Sequence, residues 1–436
     1  MKSEKTLPFI LDRFKENGFQ AYIVGGAVRD MLLQKTPDDF DILTNASIKE
    51  IQTLFSDQKV KTVGKTFPVC LVDGIEISSG RTAFDISDFP ESDLAKRDFT
   101  INAMACDSIT KKVIDPFNGR KDLENTIIRF TRDPEKRIHE DPVRMIRACR
   151  FVAMIDGALS LSSLAVILEN KDLLDPVARE RIHHEIMKAL GLKRPSLFFK
   201  ALKKTGLLVK IFPSLDRCHD LDGGPHHGET VFEHNMLVGD ALSPRFPVLR
   251  LAGFLHDAGK FDAAKIKNGK LTFAGHENHT RAVVHDLTTL RFSVKDITYI
   301  TSLIKTHMRP LVKQTTPKAT RRLLAMLDKY GLDYRDFMRM RIADKKGNLA
   351  EGKTPYTLSA IRVRLKKIFD ELSGQESLQM NHLEITGNDI IRLTGVAPGP
   401  EIGKIKLLLF EKIVDDPELN NYNELKQLCL SLKIKK

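Results

Sequence analysis

Paired cysteines are missing from this chain. Its 436 residues hold five cysteines, Cys70, Cys106, Cys149, Cys218 and Cys429, with no Cys-x-x-Cys pair among them. That scatter argues against a disulfide framework or a thiolate zinc site, and it suits a reducing, cytoplasmic compartment. Long apolar runs are missing too, since none approaches the roughly 18 residues that a membrane helix requires. The stretch from Met1 to Phe19 is broken by Lys2, Glu4, Lys5, Asp12, Arg13, Lys15 and Glu16, so it offers neither a signal-peptide core nor an anchor. Short repeats and low-complexity tracts are absent. What remains is a chain too long for one core, with about two to four domains expected. Positive charge is in excess: 69 Lys and Arg stand against 57 Asp and Glu, a formal charge of +12. Such a balance suits a polyanionic partner, although many basic proteins bind none.

The hydrophobic pattern changes along the chain. Leu7, Ile10, Leu11 and Phe14 fall at helical spacing, and strands and helices then alternate to about Phe130, predicting an α+β head with a small mixed sheet covered by helices. From Asp141 the pattern turns helical, with Met145, Ile146, Cys149, Val152 and Ala153 on one face, and it stays helical almost to the end. Gly223-Gly224-Pro225 and the stretch from Leu242 to Pro247 read as loops.

Chemistry concentrates in the head. Gly25 and Gly26 follow the strand-like run Ala21 to Val24, so a backbone free of Cβ admits a triphosphate while Arg29 neutralises it. Asp39 and Asp41 come next. Two apart on a strand, they would share a face and hold Mg²⁺, a hard cation that keeps substrate phosphates as partners. Two such ions activate an attacking hydroxyl and stabilise leaving pyrophosphate. Taken alone, the same residues describe a Gly-rich turn before an exposed acidic loop. Glu76, on the strand-like segment Gly74 to Ser78, adds a third acid. Asp141 and Arg144, three apart at an expected helix start, offer an acceptor and a donor fork to a base edge, and Arg147 and Arg150 continue that face.

Further motifs follow in order: Lys96-Arg97-Asp98-Phe99-Thr100-Ile101-Asn102-Ala103, Asp115-Pro116-Phe117-Asn118-Gly119, Glu140-Asp141-Pro142-Val143-Arg144 and Arg181-Ile182-His183-His184-Glu185. With these the sequence resembles the tRNA nucleotidyltransferase and bacterial poly(A) polymerase family, specifically the class II CCA-adding enzymes, over essentially its whole length. The resemblance implies a polymerase-beta-like head and template-independent addition of CMP and AMP, from CTP and ATP, to the 3′ end of tRNA. It implies Asp39 and Asp41 as the catalytic, Mg²⁺-holding pair. Gly26, Arg29, Arg97 and Asp98 would contact the triphosphate and ribose. Asp141 and Arg144, continued by Arg147 and Arg150, would select CTP and ATP over GTP and UTP. Lys96 stands where the family usually has the first of two arginines; the charge survives, but the guanidinium fork does not.

The middle of the chain carries His234, His256-Asp257, His276, His307 and Asp344, an order that resembles the HD phosphohydrolase superfamily. By that resemblance His234, His256, Asp257 and Asp344 bind a divalent metal such as Mn²⁺, Fe²⁺, Ni²⁺ or Mg²⁺, and His276 and His307 serve a second ion or a substrate phosphate. The competing reading is a helical spacer with satisfied histidines. Farther on, Lys353 to Lys367 and Lys404 to Lys436 are basic, which suits an RNA track or a solvated helical face. Gly387 to Ile390 and Gly395 to Gly403 resemble a family tail that binds tRNA. The expected division is a head at 1–130, a neck at 131–215, an HD region at 216–350 and a tail at 351–436.

Full CCA-adding enzymes of this class carry a long flexible loop ahead of the Arg97-Asp98 motif. Here only Thr82 to Ser92 separate Arg81 from Asp93, with no basic residue among them. That resembles the CC-adding subset and implies a separate enzyme that adds the final A. Two other functions remain compatible with the motifs: a poly(A) polymerase, and an HD phosphohydrolase acting on RNA ends with the head as a nucleotide-binding module.

Overall fold

Alternating burial builds the sheet of the head. In strand β4 (Val69–Val72) Cys70 and Val72 are buried while their neighbours are only partly so, and in β5 (Ile75–Ser79) Ile75 and Ile77 point inward around exposed Glu76. With β1 (Ala21–Val24), β2 (Asp41–Thr44), β3 (Val60–Val63), β6 (Ala105–Asp107) and β7 (Val113–Ile114), they form a seven-stranded sheet in the order β3-β4-β5-β2-β1-β6-β7. Only β2 and β5 run parallel, so the sheet is mixed, as expected. One core gathers Ile10, Phe14, Ile23, Val28, Ile42, Ile51, Phe55 and Ile77, and a smaller one gathers Val24, Leu43, Leu94, Ala103 and Ala105. Ile23 and Val24 therefore serve different cores, as do Ile42 and Leu43, because successive strand residues point to opposite faces.

The computed structural model describes residues 2–63, 68–80, 88–107, 110–224, 228–309, 317–348, 363 and 380–432. Their contacts divide the chain into two units, Met1–Ile211 and Phe212–Lys436. In the first, the N-terminal helix Lys2–Glu16 buries Ile10, Leu11 and Phe14. The helix Arg144–Ile155 buries Met145, Ile146, Ala148, Cys149, Val152 and Ala153, a stripe at helical spacing that packs on the helices Arg179–Leu190 and Ser196–Lys204.

Two local expectations are corrected here. Asp39 sits in a bend ahead of β2, so only Asp41 belongs to the strand. Asp141 and Arg144 do not share a helix start. The helix Pro134–Glu140, N-capped by Asp133, ends at Asp141, which is extended at φ −157°, and a new helix begins at Arg144. Pro142 explains the break, because a residue before proline is pushed out of the helical region and proline has no N–H to give.

The described residues of the second unit are mainly helical. Thr230, Ser293 and Asp333 cap the helices Val231–Ala241, Val294–Thr306 and Tyr334–Gly347, and Pro247 opens the helix Pro247–Leu255. Between them lies a hairpin, Lys265–Lys267 with Lys270–Thr272, that the helical expectation missed; Asn268 and Gly269, both at positive φ, form its turn. The helices Gly387–Thr394, Pro400–Asp415 and Tyr422–Ser431 close on a core of Ile385, Ile390, Ile405, Leu409, Ile413, Leu425 and Cys429. Among the described residues no helix is long and apolar enough to cross a membrane.

Candidate active site

The site begins where β1 ends. Gly25 takes φ 71° and ψ −132°, a conformation glycine adopts readily, and a Cβ there would lie 2.7 Å from Arg97 Nη1. The glycine therefore admits the guanidinium of Arg97 to the carboxylate side of the sheet, with Asp41 Oδ2 at 3.5 Å from the same point. Across the strands, Val24 pairs with Asp41 and Asp41 with Glu76, so two acids occupy one row of the sheet. Burial and neighbouring Asp39 push the Asp41 carboxyl above its usual range against the pull of Arg97, and desolvation with Asp41 does the same to Glu76. Arg29 is buried and fixed: Nη1 donates to Asn102 Oδ1 at 2.7 Å, and Nε and Nη2 donate to Asp30 at 3.0 and 2.9 Å.

All ten residues expected at the nucleotide line one cavity of about 1140 Å³: Gly26, Arg29, Asp39, Asp41, Arg97, Asp98, Asp141, Arg144, Arg147 and Arg150. Asp98 is buried and accepts from Phe99 N at 2.9 Å, Asn102 Nδ2 at 3.1 Å and Arg147 Nη2 at 2.6 Å. Burial alone would raise its carboxyl; the Arg147 guanidinium and these donors outweigh burial and hold it below the usual range. Arg144 donates to Glu140 Oε2 and to the Arg137 carbonyl, both at 2.9 Å, and to the Lys96 carbonyl at 3.3 Å. It is thus the backbone of Lys96 that meets Arg144.

Glu185 is the residue the sequence did not single out. It is buried, and its two oxygens bridge Arg147 Nη1 at 3.5 Å and Arg150 Nε at 2.5 Å. Its only signal was membership of the Arg181 to Glu185 motif. Arg181 itself donates from Nη2 to Asp141 Oδ2 at 2.7 Å. Phe151 is ringed by Arg29, Arg147 and Arg150, with guanidinium carbons 5.6, 5.6 and 4.3 Å from its centroid.

The second unit brings its histidines together as well. Ligand atoms of His234, His256 and Asp344 lie within 4.8 Å of one another, and so do those of His256, Asp257 and His307. His256, His276 and His307 each direct Nδ1 at the carbonyl three residues earlier, at 2.9, 3.0 and 2.6 Å, which leaves Nε2 for the cluster. Asp257 Oδ1 stands 2.9 Å from His276 Nε2 and 3.3 Å from His307 Nε2, and Lys260 Nζ is 2.8 Å from Oδ2. His234 Nε2 is 3.2 Å from Asp344 Oδ1, while its Nδ1 is held by Glu229 at 3.1 Å. Burial drives His256 down to about 3, whereas Asp344 and Glu229 outweigh burial at His234 and raise it to about 10. Among the described residues, His256 Nε2 is buried with no hydrogen-bond partner.

A mixed sheet with acids at its Gly-turn edge, followed by a helical neck that closes a cation-rich cavity, defines a nucleotidyltransferase-type head on a helical body. Comparisons with known proteins agree. Residues 21–129 match the profile of the poly A polymerase head domain, and residues 158–218 match one described as a probable RNA and SrmB-binding site of polymerase A. A CCA-adding enzyme of Ligilactobacillus salivarius is 42% identical over 206 residues, 44% of this chain and 50% of the relative. One from a Geobacillus species is 27% identical over 430 residues, 95% of this chain and 93% of the relative. The first curated relatives are thus matched over about half of their length. The crystal structure of the Bacillus stearothermophilus CCA-adding enzyme in complex with CTP has the same fold, with a TM-score of 0.64 and 24% identity, covering 98% of this chain and 96% of that one. The chain thus carries a poly A polymerase head domain at residues 21–129 and is similar along its length to CCA-adding enzymes.

Proposed function

We propose that this protein transfers CMP from CTP to the 3′ end of tRNA without a template. The observation that carries the reading is the single cavity that joins Asp39 and Asp41 to Asp141 and Arg144. It sets a phosphoryl-transfer edge and a base-reading edge within reach of one nucleotide. Asp39 and Asp41 would hold Mg²⁺, and the donor set fits: hard oxygens, with Asp41 strained upward by burial and by Asp39. When bound, the ion supplies charge neutralisation at the α-phosphate and lowers the pKa of the attacking hydroxyl. The tRNA 3′-hydroxyl then forms the new phosphodiester as the bond to pyrophosphate breaks. Arg29 and Arg97 bring positive charge to the phosphates, and Asp98, pinned by Arg147, faces the ribose.

Base choice follows from donor and acceptor order. Cytosine and adenine each present an exocyclic amine beside a ring nitrogen acceptor, which match the Asp141 carboxylate and the Arg144 guanidinium. Uracil and guanine turn a carbonyl oxygen toward the carboxylate and are rejected. Asp39→Ala or Asp41→Ala should abolish CMP incorporation while tRNA binding stays nearly intact; turnover near the unmutated rate would remove the head as catalyst.

The reading extends to CC rather than full CCA addition, supported by the short Thr82 to Ser92 connection. Residues 82–87 of it lie outside the described residues, as does nearly all of the basic stretch Lys353 to Lys367. A separate A-adding enzyme would complete the product. The working division is head 1–130, neck 131–215, HD region 216–350 and tail 351–436, acting on tRNA in the cytoplasm.

A second reading is favoured by the orphaned Nε2 of His256. A buried imidazole lone pair facing two carboxylates fits a divalent metal held by His234, His256, Asp257 and Asp344, with Mn²⁺, Fe²⁺, Ni²⁺ or Mg²⁺ as candidates. The region would then release phosphate from RNA ends. Metal-dependent hydrolysis of a 2′,3′-cyclic phosphate RNA, lost in His256→Ala and Asp257→Ala, tests it; protein that binds no metal and hydrolyses nothing leaves the cluster a scaffold.

A further inference from the structure

The two side chains that would read the base are not held alike. Arg144 has three acceptors around it, from Glu140, Arg137 and Lys96. Asp141 follows a helix end and precedes a proline, so its backbone is extended. Oδ1 accepts from Val143 N at a long 3.3 Å. The short contact is Arg181 Nη2 to Oδ2, 2.7 Å, from a residue forty positions away in sequence. Arg181 also lines the cavity, and it rises from the helix Arg179–Leu190, which carries Glu185 one turn later on the same face. The helix Arg179–Leu190 therefore reaches the helix Arg144–Ile155 through Glu185, at Arg147 and Arg150, and the extended residue ahead of it through Arg181, at Asp141.

We propose that Arg181 is a positioning residue for nucleobase selection, fixing the rotamer of Asp141 so that the carboxylate meets the exocyclic amine of CTP or ATP. This rests on the nucleotidyl-transfer reading above. An oxygen that accepts from Arg181 keeps a second lone pair for the base, so the two contacts are compatible. Holding the carboxylate before the nucleotide arrives removes an ordering cost from binding and sharpens rejection of a base that offers a carbonyl instead. Two other roles are open to an exposed cavity-edge arginine, contact with the RNA phosphates or simple occlusion of Asp141, and they predict different results.

The test measures kcat and KM for CTP and UTP, and tRNA affinity by filter binding, in the full chain. Arg181→Ala should lower the preference for CTP over UTP about tenfold, mainly through a higher KM for CTP, with tRNA affinity unchanged. Arg181→Lys should recover part of it, since one charged donor remains. In an Asp141→Ala background, Arg181→Ala should cause no further loss of selectivity, because a residue acting through Asp141 has nothing left to act on. Equal losses in both backgrounds overturn the proposal. So does unchanged selectivity with weaker tRNA binding, which assigns Arg181 to RNA, or a lower KM for CTP, which makes it a block. If the unmutated protein incorporates no CMP while still binding CTP more tightly than UTP by calorimetry, the transfer reading fails. Arg181→Ala must then still reduce that binding preference for the positioning role to stand.

Discussion

Gly25 and Asp98 show how single residues carry the site. At Gly25 the backbone lies at positive φ and the Cβ position is occupied by Arg97. Gly25→Ala should therefore cost about 1–2 kcal/mol in urea unfolding and displace Arg97, with CMP incorporation falling by at least an order of magnitude. Wild-type stability and rate in this variant would show that the close approach is unimportant. Asp98 is buried and paired with Arg147, and its folded carboxyl titrates below its unfolded value. A depressed pKa contributes stability that is present above the unfolded value and lost as pH falls through the folded one. Asp98→Asn should thus destabilise by roughly 1–3 kcal/mol at neutral pH, because Arg147 loses its short ion pair and keeps only the longer contact with Glu185. The gap between variant and parent should narrow below about pH 4, as read by denaturant unfolding across pH. The ten residues expected at the nucleotide could be named from sequence, and they meet in one cavity, because each lies in a short motif whose chemistry is local. Glu185 could not be assigned a role in that way: its partners Arg147 and Arg150 lie on another helix, and only packing reveals the bridge.

Elements were legible where the hydrophobic period was long. The helix Arg144–Ile155 and the N-terminal helix announce themselves by buried stripes, and the mixed sheet by alternation. Boundaries were less legible. The helical period across Asp141 hid the break that Pro142 imposes, and the Asn268-Gly269 hairpin was lost in a lysine-rich stretch. The break has a consequence for specificity. Pro142→Ala permits helix Pro134–Glu140 to continue, which would swing the Asp141 carboxylate away from Arg181 and the cavity. The expected outcome is a severalfold drop in kcat/KM for CTP with increased UTP use, alongside equal or greater helical content by circular dichroism. Unaltered selectivity in a variant with greater helicity would show that the extended geometry at Asp141 is incidental.

At the scale of the whole chain, two units each hold a chemical centre, one built of carboxylates and guanidiniums, the other of imidazoles and carboxylates. Their donor sets differ, and on the proposed function the oxygen donors would suit Mg²⁺ and the mixed imidazole–carboxylate donors a transition metal. His256→Ala should therefore abolish transition-metal uptake, measured by elemental analysis, and leave CMP incorporation within about twofold, whereas Asp41→Ala should do the reverse; loss of both activities in either variant would mean the centres are not separate. The measurement that bears most directly on the central claim is incorporation by the purified protein on tRNA that ends at the discriminator base, given each nucleotide alone and then CTP with ATP. CMP added from CTP, nothing from UTP or GTP, and a product that stops at CC in the mixture are the predicted results. Failure to add CMP would contradict the account at its root, and efficient AMP addition to tRNA ending in CC would contradict the CC-adding assignment.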